Sequence, residues 1–526
     1  MKRTFFVGFL TIFLSACASP PSSEMPMMDH SMMDHSMMSH GNNAGGSKAF
    51  STDPSGLPEA KPSAIVELND GDEYTLTAAP VSKNIDGKII RMLAYNGSIP
   101  GPVLKVRQGS TIKVLFKNEV DHPTSLHSHG VRLKNAFDGT HLVQDPVQPG
   151  SSFEYEITFP DPGMYWYHPH LREDYAQEMG MYGNYWVVPA DEKYWSTVDR
   201  EVPLFVDDLL LDEAGAVAFS PETADHALMG RFGNTMLVNG MTDYRLEVEE
   251  GDVVRFFITN SANTRPFRLS IPDVEMKLVG GDGGAYEQEF SVESIIIAPS
   301  ERVVFEASFP KAGRYHLMNE TPLSQSRLGT IEVVDRDSSS TSVSDFSTLR
   351  KNSFLSDELS VFRSSLESKP DRLLNMDVDM AGMSMGHMMT HSDEKIEWED
   401  TMPMMNIMST PENTTWKLTD PQTGKSNMSI DDWKFKVGEK VKIRLFNDPN
   451  GGHPMQHPIH IHGQRFLVVS INGKTQENLV WKDTVLVQTG DTVDLIVEMS
   501  NPGKWMIHCH IAEHLESSMM MQFEVL

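Results

Sequence analysis

Near its C-terminus the chain reads Trp505-Met506-Ile507-His508-Cys509-His510-Ile511-Ala512-Glu513-His514 and then, five residues on, Met519. Cys509 is one of 2 cysteines in 526 residues, and it stands between two histidines in an otherwise apolar run. In an extended strand, successive side chains point to opposite faces, so Cys509 faces one way while His508 and His510 face the other. One strand can then serve two metal centres. A thiolate, two imidazoles and a weak, long axial thioether are the donors of a blue, type 1 copper site. Cys509, His514 and Met519 supply three of the four. A lone Cys beside a His is by default a buried apolar filler; the other histidines remove that default.

Of 20 histidines, ten fall in four clusters. They are His127-Ser128-His129-Gly130, His168-Pro169-His170, His457-Pro458-Ile459-His460-Ile461-His462-Gly463, and His508-Cys509-His510 with His514. A His-x-His pair on an extended segment puts both imidazoles on one side, spaced to reach two neighbouring metals. Four such pairs offer eight ligands, which converge on three coppers if the segments carrying them pack together. His457, Cys509, His514 and Met519 are left for a separate mononuclear site.

The elements that must position these residues repeat along the chain. Gly109–Asn118, Gly251–Asn260 and Gly438–Asn447 share length and ends. In the first, Ile112, Val114 and Phe116 alternate with Thr111, Lys113 and Lys117, the period-two pattern of a half-buried antiparallel strand. A second element recurs downstream of each: Pro162-Gly163-Met164-Tyr165, Ala312-Gly313-Arg314-Tyr315 and Pro502-Gly503-Lys504-Trp505. Three copies of the same pair of elements predict an all-β chain of three homologous β-sandwich domains, each of two sheets packed face to face. The expected order is a first sandwich over 61–195, a second over 196–335, a linker over 336–365 and a third sandwich over 366–526. The histidine clusters fall only in the outer two. The middle copy has Phe267, Leu269, Leu317 and Met318 at the corresponding places and is read as free of copper. Met376, Met380, Met383, Met385, His387, Met388, Met389 and His391 mark a Met-rich insertion at 376–408, whose soft donors suit copper and whose glycines disfavour a packed helix.

A formal net charge of −29 makes nucleic acid an improbable partner, because phosphate binding needs a basic face. Residues 1–16 read as an export signal, with Lys2 and Arg3 ahead of an apolar run too short to span a bilayer. Leu14-Ser15-Ala16-Cys17 resembles a bacterial lipoprotein cleavage box. That resemblance implies a lipid on Cys17, attachment to a membrane through it, and a place on the periplasmic side of the envelope, at the outer membrane. Residues 17–60, rich in Met and His, read as a disordered tether.

The four clusters resemble those of the multicopper oxidases, the family of laccases, cuprous oxidases and ferroxidases, over roughly residues 61–526. The resemblance implies that the three sandwiches are cupredoxin-like Greek-key β-sandwich domains, and that they hold about four coppers. His457, Cys509, His514 and Met519 would bind type 1, His127 and His460 type 2, and His129, His168, His170, His462, His508 and His510 the type 3 pair. It implies oxidation of a reductant one electron at a time, with electrons passing from Cys509 through its two histidine neighbours, and four-electron reduction of O2 to water. O2 reduction consumes protons, and Asp138, in Phe137-Asp138-Gly139, matches the family's acid near the cluster; a turn Asp is the alternative. Where cuprous oxidases carry a second acid, after the last type 1 histidine, this chain has Leu515, leaving Glu513 or Glu516 as substitutes. The Met-rich insertion favours Cu(I) as reductant, with phenols, Fe(II) or Mn(II) as alternatives. A lipid-anchored copper store and a copper nitrite reductase are the readings from other classes. His453, four residues before His457, has no assigned role.

Overall fold

The structure, a computed structural model, describes residues 49–336, 346–381 and 395–526. The leader, Cys17, residues 17–48 of the expected tether, and the insertion residues Met383, Met385, His387, Met388, Met389 and His391 lie outside the described residues. Among the described residues no helix is long and apolar enough to cross a membrane.

The three repeated strands occupy the same place in three sheets. Thr111–Asn118 runs parallel to Glu73–Ile85 and antiparallel to Ser152–Thr158. Asp252–Asn260 lies likewise between Arg200–Leu209 and Arg302–Phe309, and Lys440–Asn447 between Arg372–Met380 and Thr492–Glu498. A parallel neighbour so close in sequence requires the chain to cross to a second sheet before returning, which is how a Greek key is wound. The glycine that opens each repeat has φ of +89°, +85° and +89°, a turn that a Cβ would strain.

The second repeated element lies in the facing sheet of each sandwich. Gly163–His168 sits between the short strand His127–His129 and Gly183–Val188. Gly503–Cys509 sits between His457–Ile461 and Met520–Val525. Gly313–Glu320 has Phe267–Ser270 and Gln325–Val334 as its neighbours. Equivalent registers pair His127 with His168 and His460 with His508. In the middle sandwich Phe267, Leu269 and Leu317 are buried in its core. Each sandwich closes over its own apolar core. Fully buried side chains such as Val114, Phe116, Ile258 and Leu445 each contribute about 1.5–3 kcal/mol.

Three boundaries differ from expectation. The insertion does not begin at residue 376: Arg372–Met380 is a strand, paired on both edges, and Met376 packs in the third core. The linker expected over 336–365 contains a helix, Ser353–Arg363, whose Leu355, Leu359 and Phe362 are buried. Its apolar residues recur at helical spacing, and Phe362 meets Trp481 edge-on at 5.2 Å. The expected tether is fixed at its C-terminal end, where Phe50 stacks on Tyr175 at 3.9 Å and its amide donates to Phe219 O.

Candidate metal centre

Strand Gly503–Cys509 divides its side chains as its extended backbone dictates. Cys509 points into the third core, where its Sγ lies 3.6 Å from His457 Nδ1 and 3.7 Å from His514 Nδ1. The short helix Ala512–Glu516 carries His514, and the chain then turns through Ser518 at φ +78°. The Met519 amide donates to His514 O at 2.9 Å, and Met519 O accepts from the Cys509 amide at 3.1 Å. Met519 is buried in the same core as Cys509. Burial pushes the Cys509 thiol well above its ordinary range and brings His457 down to about 3, and His514 is also held well below its usual value. Donor atoms of His457, Cys509 and His514 lie within 4.8 Å of one another, a set that a cation can complete, and a metal bound there would lower the thiol's pKa. The Trp416 indole stacks on His514 at 4.1 Å, meets His457 edge-on at 4.8 Å, and donates from Nε1 to Ala227 O of the middle sandwich at 2.8 Å.

On the opposite face of that strand, His508 and His510 join the histidines of the first sandwich and the remaining pair of the third. All eight are buried. One nitrogen of most rings is held by the protein. Nδ1 of His127 donates to Asp138 O at 2.6 Å, that of His168 to Pro169 O at 2.8 Å, that of His460 to Asp483 O at 2.8 Å, and that of His508 to Cys509 O at 2.8 Å. The Nε2 atoms of His127, His168, His170 and His460 are buried without a hydrogen-bond partner. His129 is reversed: its Nε2 is held by Asp483 Oδ1 at 3.0 Å, and its Nδ1 is the bare atom. Donor atoms of His127, His129 and His168, of His127, His460 and His462, and of His170, His462 and His508 each fall within 4.8 Å of one another. Burial, reinforced by neighbouring imidazoles, holds His129, His168, His170, His460, His508 and His510 well below their usual range. His127, His129, His168 and His460 thus have one nitrogen oriented by the protein and the other bare, His462 and His508 meet through Nε2 at 2.9 Å, and such a group of buried imidazoles fits copper ions.

Asp138 follows the short 3₁₀ helix Asn135–Phe137 and is fully buried. Its carboxylate accepts from His462 Nδ1 at 3.1 Å and Thr140 Oγ1 at 3.0 Å. Burial opposes its ionisation, but His462 and His127 outweigh it and hold Asp138 well below the usual carboxylate range. Of the two substitute acids, Glu513 accepts from Asn263 Nδ2 at 3.3 Å and Thr264 Oγ1 at 3.2 Å, and burial raises it to about 7. Burial and Asp174 raise Glu516 to about 8. The acid against the cluster at this end is Glu173, buried with Oε1 3.4 Å from His170 Nδ1. Sequence reading missed it, although its i+3 spacing from His170 was a usable signal. Asp483 and Trp166, which stacks on His168 at 4.1 Å, were also missed. His453 is buried near Trp416, with ring centroids 6.4 Å apart and both ring nitrogens unpartnered.

Sequence profiles described as "Multicopper oxidase" match residues 77–192, 200–336 and 398–526. The chain is 24% identical to "Multicopper oxidase MmcO" of Mycobacterium tuberculosis, covering 86% of each. It is 25% identical to "Copper resistance protein A homolog" of Pseudomonas syringae pv. tomato, covering 86% of this chain and 92% of that one. The crystal structure of the multi-copper oxidase from Pseudomonas thermotolerans superposes with a TM-score of 0.66 at 27% identity, covering 88% of this chain and 100% of the other. With three matched domains, a buried Cys-His site and a cluster of bare imidazoles between the outer sandwiches, the chain belongs to the multicopper oxidases, copper-binding oxidoreductases.

Proposed function

We propose that this oxidase takes its electrons from Cu(I) and serves copper tolerance. Four Cu(I) ions, one O2 and four protons give four Cu(II) ions and two waters. His457, Cys509, His514 and Met519 are assigned to type 1 copper, His127 and His460 to type 2, and His129, His168, His170, His462, His508 and His510 to the type 3 pair. Bound copper supplies the one-electron redox chemistry and the reduction of O2. The protein supplies orientation and a dry surrounding, and Cys509, peptide-bonded to His508 and His510, gives a covalent link between the two donor sets. Asp138 is the carboxylate assigned to the proton path at the cluster, taking up a proton and passing it on.

One observation carries the choice of Cu(I). Met229 of the middle sandwich packs with Leu228 and Phe232 against Met380, Met402 and Met405 of the third. This group adjoins the outer side of His514: Ala227 accepts from Trp416, which stacks on His514, and a Cβ at Gly230 would meet Ile511. Thioethers are soft donors that favour Cu(I) over Fe(II) or Mn(II). Met404 and Met408, at and just after the short helix Pro403–Ile407, are exposed beside them. The relative named as a copper resistance protein agrees with this reading. Export with a lipid on Cys17, to the periplasmic side of the outer membrane, is part of the same proposal and rests on the leader sequence.

O2 consumption on Cu(I), Fe(II) and a phenol tests it in the unsubstituted protein, in Met229→Leu/Met402→Leu/Met405→Leu, and in a deletion of residues 382–394. Loss of the Cu(I) rate with the phenol rate kept supports the assignment. Equal loss on all three, or a phenol or Fe(II) rate that exceeds Cu(I) throughout, supports the laccase-like or metal-oxidase alternative. Copper uptake without O2 consumption would favour a store, and turnover of nitrite without O2 a reductase.

A further inference from the structure

Domain two carries none of the assigned copper ligands, yet its Arg302 and Asp282 reach the cluster. Arg302, at the start of the strand Arg302–Phe309, is fully buried. Its Nη1 donates to Asp483 Oδ1 at 2.8 Å and its Nη2 to Asp483 Oδ2, a two-pronged pairing with the third sandwich. The Nε of Arg302 donates to Met164 O of the first sandwich at 3.0 Å. Asp282 holds the arrangement from the other side: its Oδ1 accepts from the Arg302 amide at 2.7 Å, and its Oδ2 lies 3.1 Å from Lys482 Nζ. The same Oδ2 accepts from the amides of Asp483 and Thr484 at 3.4 and 3.3 Å. Asp483 then meets two cluster histidines of different domains, His129 through Oδ1 at 3.0 Å and His460 through its backbone carbonyl at 2.8 Å. The glycine after His129 belongs to the same device. Gly130 has φ +78°, and a Cβ there would overlap Asp483 Oδ2 and Arg302 Nη2, so only glycine lets the first sandwich close on the pair.

We propose that Arg302 is a positioning residue for the copper cluster: by fixing the Asp483 carboxylate it turns His129 so that Nδ1 faces the coppers, which makes cluster assembly depend on docking of the domain that holds no ligand. An imidazole presents Nδ1 or Nε2 according to which nitrogen finds an acceptor outside the metal. A planar guanidinium with two parallel donors fixes the carboxylate plane, which an ammonium does not do. The inference rests on the ligand assignment above. Its test is separable, because the mononuclear donors His457, Cys509, His514 and Met519 all lie in the third sandwich.

Arg302→Lys, Arg302→Met and the double variant Arg302→Met/Asp483→Asn would be loaded with copper. Each would be assayed for copper per chain, the blue thiolate band, the near-ultraviolet absorption of the paired coppers and the electron paramagnetic resonance of the type 2 ion. The expected result is a retained blue band in all three, with the near-ultraviolet and type 2 signals partly lost in Arg302→Lys. In Arg302→Met these signals and O2 turnover fall about 10–100-fold, the usual effect of removing an outer partner of a metal ligand. The double variant removes the uncompensated buried carboxylate, so it folds even if Arg302→Met does not, and it also lacks the cluster signals. Full cluster signals in Arg302→Met or in the double variant would overturn the proposal by reducing Arg302 to charge compensation. A colourless unsubstituted protein would instead sink the ligand assignment.

Discussion

Asp138 Oδ2 and His462 Nδ1 meet at 3.1 Å, 324 positions apart in sequence, across the seam between the first and third sandwiches. The same residue accepts from His127 through its backbone carbonyl, so one buried acid touches a ligand from each side of the cluster. Asp138→Asn keeps an acceptor for His462 but removes the charge and the capacity to take up and pass on a proton. Copper content is expected to stay unchanged while turnover with O2 falls about 100-fold or more. Parallel metal analysis and oxygen-electrode rates check this; an equal loss of copper would reduce Asp138 to an orienting role.

Cys509→Ser replaces the one thiol in the buried mononuclear site. The copper-loaded variant is expected to lack the blue colour and to lose O2 turnover while keeping the near-ultraviolet signal of the cluster, whose eight histidines lie on the other face of the strand. Visible and near-ultraviolet spectra of one sample decide it.

Acid should destabilise the metal-free protein. His457 and His462 are lowered to about 3 and about 4, and His129, His168, His170, His460, His508 and His510 lie well below their usual value, in each case chiefly through burial. Below about pH 6.5 the unfolded chain takes up protons that the folded chain refuses, so stability falls with pH by up to about 1.4 kcal/mol per unit for each such group. Asp138, held low, adds loss below about pH 4. Seven acids act in the opposite sense, losing stability as pH rises above about 4: Glu513, Glu516 and Asp207, raised to about 7, about 8 and about 8, and Glu173, Glu178, Glu301 and Glu397, also raised, in each case chiefly through burial. The histidines outnumber them, so the melting temperature of the metal-free protein is expected to drop from pH 6.5 to 5. A flat or rising profile in scanning calorimetry would contradict this balance.

Two substitutions test the revised boundaries. Leu359→Ala in the helix Ser353–Arg363 and Met376→Ala in the strand Arg372–Met380 each empty a buried site. Each is expected to cost about 2–5 kcal/mol in urea unfolding while leaving copper per chain unchanged. A linker and a copper-binding insertion predict the reverse: no stability change for the first, and lost copper for the second.

Much of the site was legible because its signals are local. Alternation along Gly503–Cys509 sends Cys509 one way and its histidine neighbours the other, and three copies of a Gly-to-Asn strand announce three sandwiches whatever their packing. The middle copy was legible as a third sandwich, with Phe267 and Leu269 in its core. Met376 and Leu359 were misplaced because a methionine run and a serine-rich stretch look alike whether they pack or not, and only their neighbours in the folded chain decide. Arg302, Asp483 and Glu173 show a different limit. Their partners are fixed by how three sandwiches dock, and no spacing in the sequence encodes which carboxylate will stand behind which imidazole. Donor types and their faces thus came from the order of residues along each strand, whereas the choice between Nδ1 and Nε2 at each histidine was decided by the acceptor that tertiary packing placed behind the ring.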